Sequence, residues 1–418
     1  MAPIDLRPEV IAELRKLIET SCKERQSDLP CAEVVIVGDG SRHALNLFEF
    51  SVSPTTENEP RDLEEIEEKT IQDSDDYVYW LASCTKLVTA IACMQLVERG
   101  QLDLDDADQL ASLCPELSKI KVIGKNGDFE SQMRPITLRM LLTHRAGFGY
   151  SFLNPKLNRA YNEFSGNAED FHQSLVNQPG EQFEYGIGLD WVGMAIEGVT
   201  RQRLNEYIQK SIFEPLGVKD VSMLPSKALR ERLVGIWQRS SEGHLTPRDY
   251  PLNKPLDGDT TPEDIFNSGG AGLFGNVKEF SKILTVLLND GKSPVTDRRI
   301  LKPETVRKMF TNQIPEQPDF ARRELPAVKP DLVYPVSELY PLCGSQPQGW
   351  GLSFMISPSI TGRCDTTAQW SGLSNVFWWC DREKGIAGIV GSQILPFVDQ
   401  KTAELWMNVE QGVYRGLS

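Results

Sequence analysis

Two strand hairpins, one near each end of the 418-residue chain, bracket a helical middle and constrain the fold most. The first is CAEVVIVGDGSRHALNLFEF at 31–50: an apolar run, a Gly-Asp-Gly-Ser turn, then alternation through Leu45, Leu47 and Phe48. The second is NVFWWC, the turn DREKG and IAGIV, over 375–390. Between them, residues from about 107 to 290 read mainly as helices and long loops, with ITLRMLLTH and LDWVGMAIEGV as clear helical segments. The simplest assembly pairs the terminal strands in one antiparallel sheet. Three helices would cover it: the amphipathic MAPIDLRPEVIAELRKLIET, a last helix over roughly Asp399–Gln411, and the apolar helix that follows Tyr79. The expected architecture is therefore α/β. An antiparallel sheet flanked by helices comes from 1–106 and 291–418, and a mostly helical domain comes from 107–290. Ligand sites favour such junctions. The acidic stretch Pro54–Asp76 is too polar to pack and is expected to be a surface loop.

The charge balance narrows the function. Lys plus Arg total 44 against 59 Asp plus Glu, a formal charge of −15, so no nucleic-acid partner is expected. No apolar run approaches the roughly 18 residues of a membrane span. The N-terminal helix carries acids and lacks the apolar core of a signal peptide, so the expected location is the cytoplasm, with no membrane partner. Eight cysteines are scattered without metal-ligand spacing and read as mostly buried thiols of a reducing compartment. The four histidines, His43, His144, His172 and His244, form no metal pattern. Neither a metal nor another cofactor is expected.

The stretch YWLASCTKLVTAIACMQLVERGQLDLDD, 79–106, opens its apolar helix with a hydroxyl and an amine. Leu87, Ala90, Ile91, Met94 and Val97 recur at helical spacing and mark a buried face. Ser83 and Lys86 are three apart and share that side. Ordinarily such a Ser is an N-cap and such a Lys reaches water. A second Ser-x-x-Lys, SKIK at Ser118–Lys121, sits in a polar stretch with no such face. A serine hydroxyl is a weak nucleophile and needs a base; a Lys amine serves only if its pKa falls, which burial would bring about. The helix N-terminus also sets the Ser83 N–H where negative charge is stabilised.

A phenol is a natural third member, relaying a proton to the leaving group, with its pKa lowered by a neighbouring ammonium. QPGEQFEYGIGLDWVG, 178–193, supplies Tyr185 on a Gly-flanked turn, although on physics alone a Tyr that packs its ring with an outward hydroxyl is the better reading there. AQWSGLSNVFWW, 368–379, sets Gly372 beside a strand, where it permits close backbone approach or marks an ordinary bulge. GAGLFG, Gly270 to Gly275, matches the dinucleotide fingerprint but ends a polar loop. It reads as a turn into VKEFSKILTVLL. No Gly-x-Ser-x-Gly elbow occurs, which disfavours a Ser–His–Asp triad, and His144 reads as a hydrogen-bonding residue at a helix end.

Taken in order, three features resemble the serine β-lactamase and penicillin-binding-protein superfamily: Ser-x-x-Lys behind a first hairpin, Pro-Gly-x-x-Phe-x-Tyr before a helix, and Trp-Ser-Gly opening a C-terminal strand. LASCTKLVT, ITLRMLLTHRAGFGYSFLNP, YGIGLDWVG and WSGLSNVFWW look like its fungal acyltransferase (transesterase) branch, which includes the lovastatin-pathway acyltransferase. The resemblance implies a serine β-lactamase-like fold and acyl transfer through a serine ester in polyketide or other secondary metabolism. Carried to matching positions, Ser83 is the nucleophile, Lys86 its general base and Tyr185 the proton relay. The N–H groups of Ser83 and Leu373 form the oxyanion hole. The implied partners are a small-molecule acyl donor, an acyl carrier protein of a polyketide synthase that would present it, and an alcohol or amine acceptor. A carboxylesterase of the same fold shares every motif; a catalytically silent binding protein is the rival from another class.

Two positions depart from the wider superfamily. Its β-lactamases and peptidases usually carry Asn two residues after the central Tyr or Ser, where this chain has Ile187. They usually open the third motif with Lys or His, where it has Trp370. Without that cation a substrate carboxylate loses an anchor, so β-lactam hydrolysis is not expected as the main role. Phe148, Tyr150, Phe152, Trp370 and Trp378 would form an apolar rim for a hydrophobic ester or polyketide, with core packing an equal reading of these aromatics; Tyr150, Phe152, Trp370 and Gly372 are the expected substrate-binding residues.

Overall fold

The computed structural model describes residues 5–23, 28–52, 77–158, 171–252, 254–258, 260–322, 327–335 and 345–417. The expected acidic loop, Pro54–Asp76, lies outside them. Both terminal hairpins enter one seven-stranded antiparallel sheet. Its strands are β1 (Ala32–Gly38), β2 (Asn46–Val52), β3 (Gly349–Trp350), β4 (Met355–Ile356), β5 (Ala368–Gly372), β6 (Val376–Asp381) and β7 (Ile386–Gly391), in the order β3-β4-β5-β6-β7-β1-β2. The chain ends meet at the β1–β7 ladder, from Glu33 opposite Gly391 to Gly38 opposite Ile386. Every residue of β1, AEVVIVG, is buried, as a continuous apolar run covered on both faces requires.

The framing helices are α1 (Pro8–Ser21), α2 (Thr85–Glu98), α3 (Gly188–Thr200), α4 (Val277–Leu288) and α5 (Gln400–Gly416). Pro8 occupies the first turn of α1, where its missing N–H costs nothing, and Val10, Leu14 and Ile18 form the stripe facing α5 and β2. Asp399 caps α5 by accepting from the Thr402 N–H, and Trp406 of α5 stacks on Phe377 of β6 at 4.8 Å. Val390 pairs with Phe377 and shares that face, so the next residue, Gly391, turns the other way and meets Val277 of α4.

Helix α4 thus covers the second face, against β1, β6 and β7. The expected boundary at 290 had assigned it to the helical middle. Helix α2 differs from expectation in the opposite sense. It packs chiefly on α3, touching β5 and β6 through the turn Ala82–Cys84 that precedes it. Everything from Thr85 to Leu96 is buried, not one face only, because its sequence is apolar nearly all round. The middle also holds strands that its sequence did not announce. A hairpin of Ile236–Arg239 and Leu245–Arg248 is extended by Ile394–Leu395, and Phe274–Gly275 lies between Tyr79–Trp80 and Val221–Ser222. Strands of two to four residues are too short for a period of two to register.

Candidate active site

Ser83 is delivered by a strained corner. Ala82 has φ +44°, a left-handed conformation costing a non-glycine residue roughly 1–2 kcal/mol. The surroundings hold it there: the Thr85 hydroxyl donates to the Ala82 carbonyl at 2.6 Å, and the Leu81 N–H to the Leu273 carbonyl at 2.9 Å. From the sheet, Gly372 of β5 presses on the same corner. A Cβ at 372 would lie 2.6 Å from the Leu81 oxygen, so the close approach expected of this glycine is made to the segment carrying the serine. Ser374 adds a hydrogen bond to the Trp80 carbonyl at 2.8 Å. Leu373, between them, is half-buried.

The Ser83 hydroxyl does not cap the helix; neither the turn nor α2 has a side-chain cap. It sits instead between two proton-carrying groups. The Tyr185 hydroxyl donates to Ser83 Oγ at 2.7 Å, and Lys86 Nζ lies 3.0 Å away on the other side. Lys86 is fully buried, and its amine also donates to the Tyr150 hydroxyl at 3.0 Å and the Gly270 carbonyl at 2.8 Å. Burial lowers its pKa to about 7 against the opposing pull of the Asp190 charge, so the amine loses its extra proton near neutrality. When neutral, its two hydrogens can serve Tyr150 and Gly270 while the lone pair faces the Ser83 hydroxyl.

Tyr185 behaves differently from expectation. Burial raises its pKa above the ordinary phenol value, outweighing its hydrogen bonds to Ser83 and from Trp370. A proton donor is what remains. Its oxygen accepts from Trp370 Nε1 at 3.1 Å, and its ring lies 4.7 Å from that of His144. His144 (φ +54°) follows the helix Leu138–Leu142, accepts from the Gly186 N–H at 3.3 Å, and is kept neutral by burial and the Lys86 charge. Helix-end hydrogen bonding was expected of it; support of the Tyr185 loop was not.

The apolar rim needs correction. Tyr150 is hydrogen-bonded to Lys86, and Trp370 to Tyr185. Phe148 is buried and stacks on Trp191 at 5.9 Å, and Trp378 is buried edge-on to Phe354, so both belong to the core. Phe152 stacks on Tyr150 at 4.9 Å and is 7% exposed. Aromatic residues bury large areas wherever they lie, so composition could not separate wall from core. Ile187 is buried at the start of α3 and offers no amide to the site. Ser118 is exposed and its hydroxyl bonds the Pro115 carbonyl, away from this cluster.

Sequence reasoning missed the segment 268–273. The glycines dismissed as a turn lie along α2, held by Thr89 Oγ1 to the Gly269 carbonyl at 2.8 Å, Lys86 to Gly270, and the Leu273 N–H to Thr85 Oγ1 at 3.0 Å. An acid in an apolar helix, Asp190, was the available signal. It accepts from Ser268 Oγ at 2.6 Å and the Gly270 N–H at 2.9 Å. Cys84, Cys93, Cys114 and Cys380 are buried free thiols. Among the described residues no group of three or more His, Cys, Asp or Glu side chains could hold a metal ion, and no helix is long and apolar enough to cross a membrane.

Comparison with known proteins adds to this geometry of a serine between a buried lysine and a tyrosine. A family model described as Beta-lactamase matches residues 14–409. Lovastatin esterase of Penicillium rubens is 34% identical over 378 residues, covering 84% of this chain and 88% of that protein. Monacolin J acid methylbutanoyltransferase of Aspergillus terreus is 29% identical over 360 residues, covering 80% and 81%. A solved variant of simvastatin synthase from Aspergillus terreus matches with a TM-score of 0.76 at 25% identity, covering 98% of this chain and 96% of that one.

Proposed function

The chain belongs to the beta-lactamase family, and we propose that it is a serine acyltransferase whose acyl-enzyme forms on Ser83. The observation that carries this reading is Ser83 Oγ held between Lys86 Nζ at 3.0 Å and the Tyr185 hydroxyl at 2.7 Å, with the amine buried. In this reading neutral Lys86 takes the Ser83 proton as Oγ attacks the donor carbonyl. Negative charge on the carbonyl oxygen is met by the N–H groups of Ser83 and Leu373. Tyr185 hands a proton to the leaving group and is reprotonated at the expense of the Lys86 ammonium, which holds the proton taken from Ser83. The acceptor's hydroxyl or amine then attacks the ester with the same groups working in reverse.

The donor is a small acyl thioester or ester, with an acyl carrier protein of a polyketide synthase as its carrier. The acceptor is an alcohol or amine of a hydrophobic metabolite. Relatives named for methylbutanoyl transfer support that substrate class. A second reading, hydrolysis of the same acyl-enzyme by water, is favoured by the similarity to lovastatin esterase. Intact mass after incubation with short acyl thioesters, followed by product analysis with and without candidate alcohols, tests both. Acyl protein that turns over only with an alcohol supports transfer, turnover in water alone supports hydrolysis, and no mass shift with thioesters or a fluorophosphonate rules out both.

Substrate choice follows from the two departed positions. At Trp370 the site offers an indole N–H already given to Tyr185, and Ile187 offers only carbon, so a substrate carboxylate there would lose hydration without gaining a partner. Such a mismatch costs roughly 1–3 kcal/mol or more. Neutral p-nitrophenyl esters are therefore expected to exceed nitrocefin and penicillins by about a hundredfold in kcat/KM. Trp370→Lys should narrow the gap. Side-by-side kinetics with nitrocefin as fast as the esters would restore a β-lactamase.

A further inference from the structure

We propose that Asp190 is a positioning residue for Lys86: acting through Gly270, its carboxylate aims the carbonyl that holds the amine, and its charge favours the amine's protonated form. The inference rests on Lys86 being the base for Ser83. Asp190 lies in the first turn of α3 and is fully buried. One carboxylate oxygen takes both the Ser268 hydroxyl (2.6 Å) and the Gly270 N–H (2.9 Å), fixing the orientation of that residue. The carbonyl of the same Gly270 accepts from Lys86 Nζ at 2.8 Å. Only glycine fits at 270, because a Cβ would collide with the second carboxylate oxygen. That second oxygen is buried with no hydrogen-bond partner among the described residues, and such an arrangement is expensive unless a nearby positive charge offsets it.

The other titratable groups around Lys86 cannot supply the balancing charge. Burial holds the Cys84 thiol and the Tyr150 and Tyr185 phenols in their neutral, protonated forms, and His144 is held neutral from the opposite direction. Among these described neighbours Asp190 is the carboxylate, and its ionised form is supported by the hydrogen bonds from Ser268 and Gly270. Its own proton affinity is raised by burial and lowered by the Lys86 charge, so the two titrate as a coupled pair. The sign follows directly. A negative Asp190 raises the pH needed to free the amine, and removing that charge lets Lys86 act as a base in more acid solution.

If Asp190 merely ties the loop 268–270 to α3, a substitution that keeps the hydrogen bonds leaves the pH dependence alone. Asp190→Asn keeps an oxygen to accept from Ser268 and Gly270 while removing the charge. In the full-length protein, with a p-nitrophenyl ester as substrate, the acidic limb of kcat/KM is expected about one unit lower than in the parent, with KM within a few-fold. Ser268→Ala removes one hydrogen bond that stabilises the carboxylate and should move the limb the same way by less. It also decides the matter if Asp190→Asn does not fold. A limb that stays in place, or moves to higher pH, in the folded variants overturns the proposal. Fluorophosphonate labelling of parent Ser83 is run in parallel: absence of label defeats the acyl-enzyme reading itself, whereas label with an unmoved limb defeats only the role of Asp190.

Discussion

Ser83→Ala is expected to abolish acyl-enzyme formation, lowering turnover by at least about a thousandfold, while the protein stays folded. The large effect has one cause: in the proposed reaction Oγ is the atom that bonds to the acyl carbon. The phenols of Tyr185, 2.7 Å from Oγ, and of Tyr150, on Lys86, are kept protonated by burial and do not replace it as nucleophiles. Folding is spared for local reasons. The Ser83 side chain makes no helix cap, alanine is the best helix former, and Lys86 keeps its bonds to Tyr150 and Gly270. Ser118→Ala, at an exposed position whose hydroxyl bonds the nearby Pro115 carbonyl, should leave turnover within experimental error. Intact mass and peptide mapping after exposure to an acyl thioester provide the check. A label recovered on Ser118, or persisting in Ser83→Ala, would move the nucleophile elsewhere.

What could be read in advance depended on how far apart the cooperating residues stand. The hairpins β1–β2 and β6–β7 carry their own turns, so each could be recognised within about twenty residues, and the simplest assembly paired them in one sheet. Ser83 and Lys86 are set by helical geometry alone, which makes their proximity a local property. Tyr185 is different. Its residues permitted either a packed ring or a relay, and only the order of motifs along the chain favoured the relay. Gly270 and Asp190 were beyond reach, because a hydrogen bond between residues 80 apart in sequence leaves no periodic trace. The run of glycines there has two explanations in sequence, a turn and a close approach, and the second becomes visible only when α3 is placed against it. The inward hydrogen bonds of Tyr150 and Trp370 went unread for a related reason. An aromatic residue with a polar tip can face substrate or turn that tip inward, and the partner inside decides.

That inward network determines what happens when its centre is removed. Lys86→Met is expected to lower kcat by about 10²–10⁴-fold with KM changed by no more than a few-fold. Methionine is close in length, unbranched and a good helix former, so α2 persists. The Gly270 carbonyl is left without the amine, at a cost to stability of roughly 1–3 kcal/mol. Ser83 then has only Tyr185 beside it, and that phenol already points its proton at Oγ and has a pKa raised by burial, so it cannot accept another. The pH profile distinguishes loss of the base from general damage. With Lys86 in place, the group that must be neutral has a pKa lowered to about 7, so kcat/KM rises as pH increases through that value and levels off above it. In Lys86→Met the rise through 7 should vanish, leaving a low rate with no inflection there. Activity within a few-fold of the parent, or a surviving limb near pH 7, would mean that another residue takes the Ser83 proton.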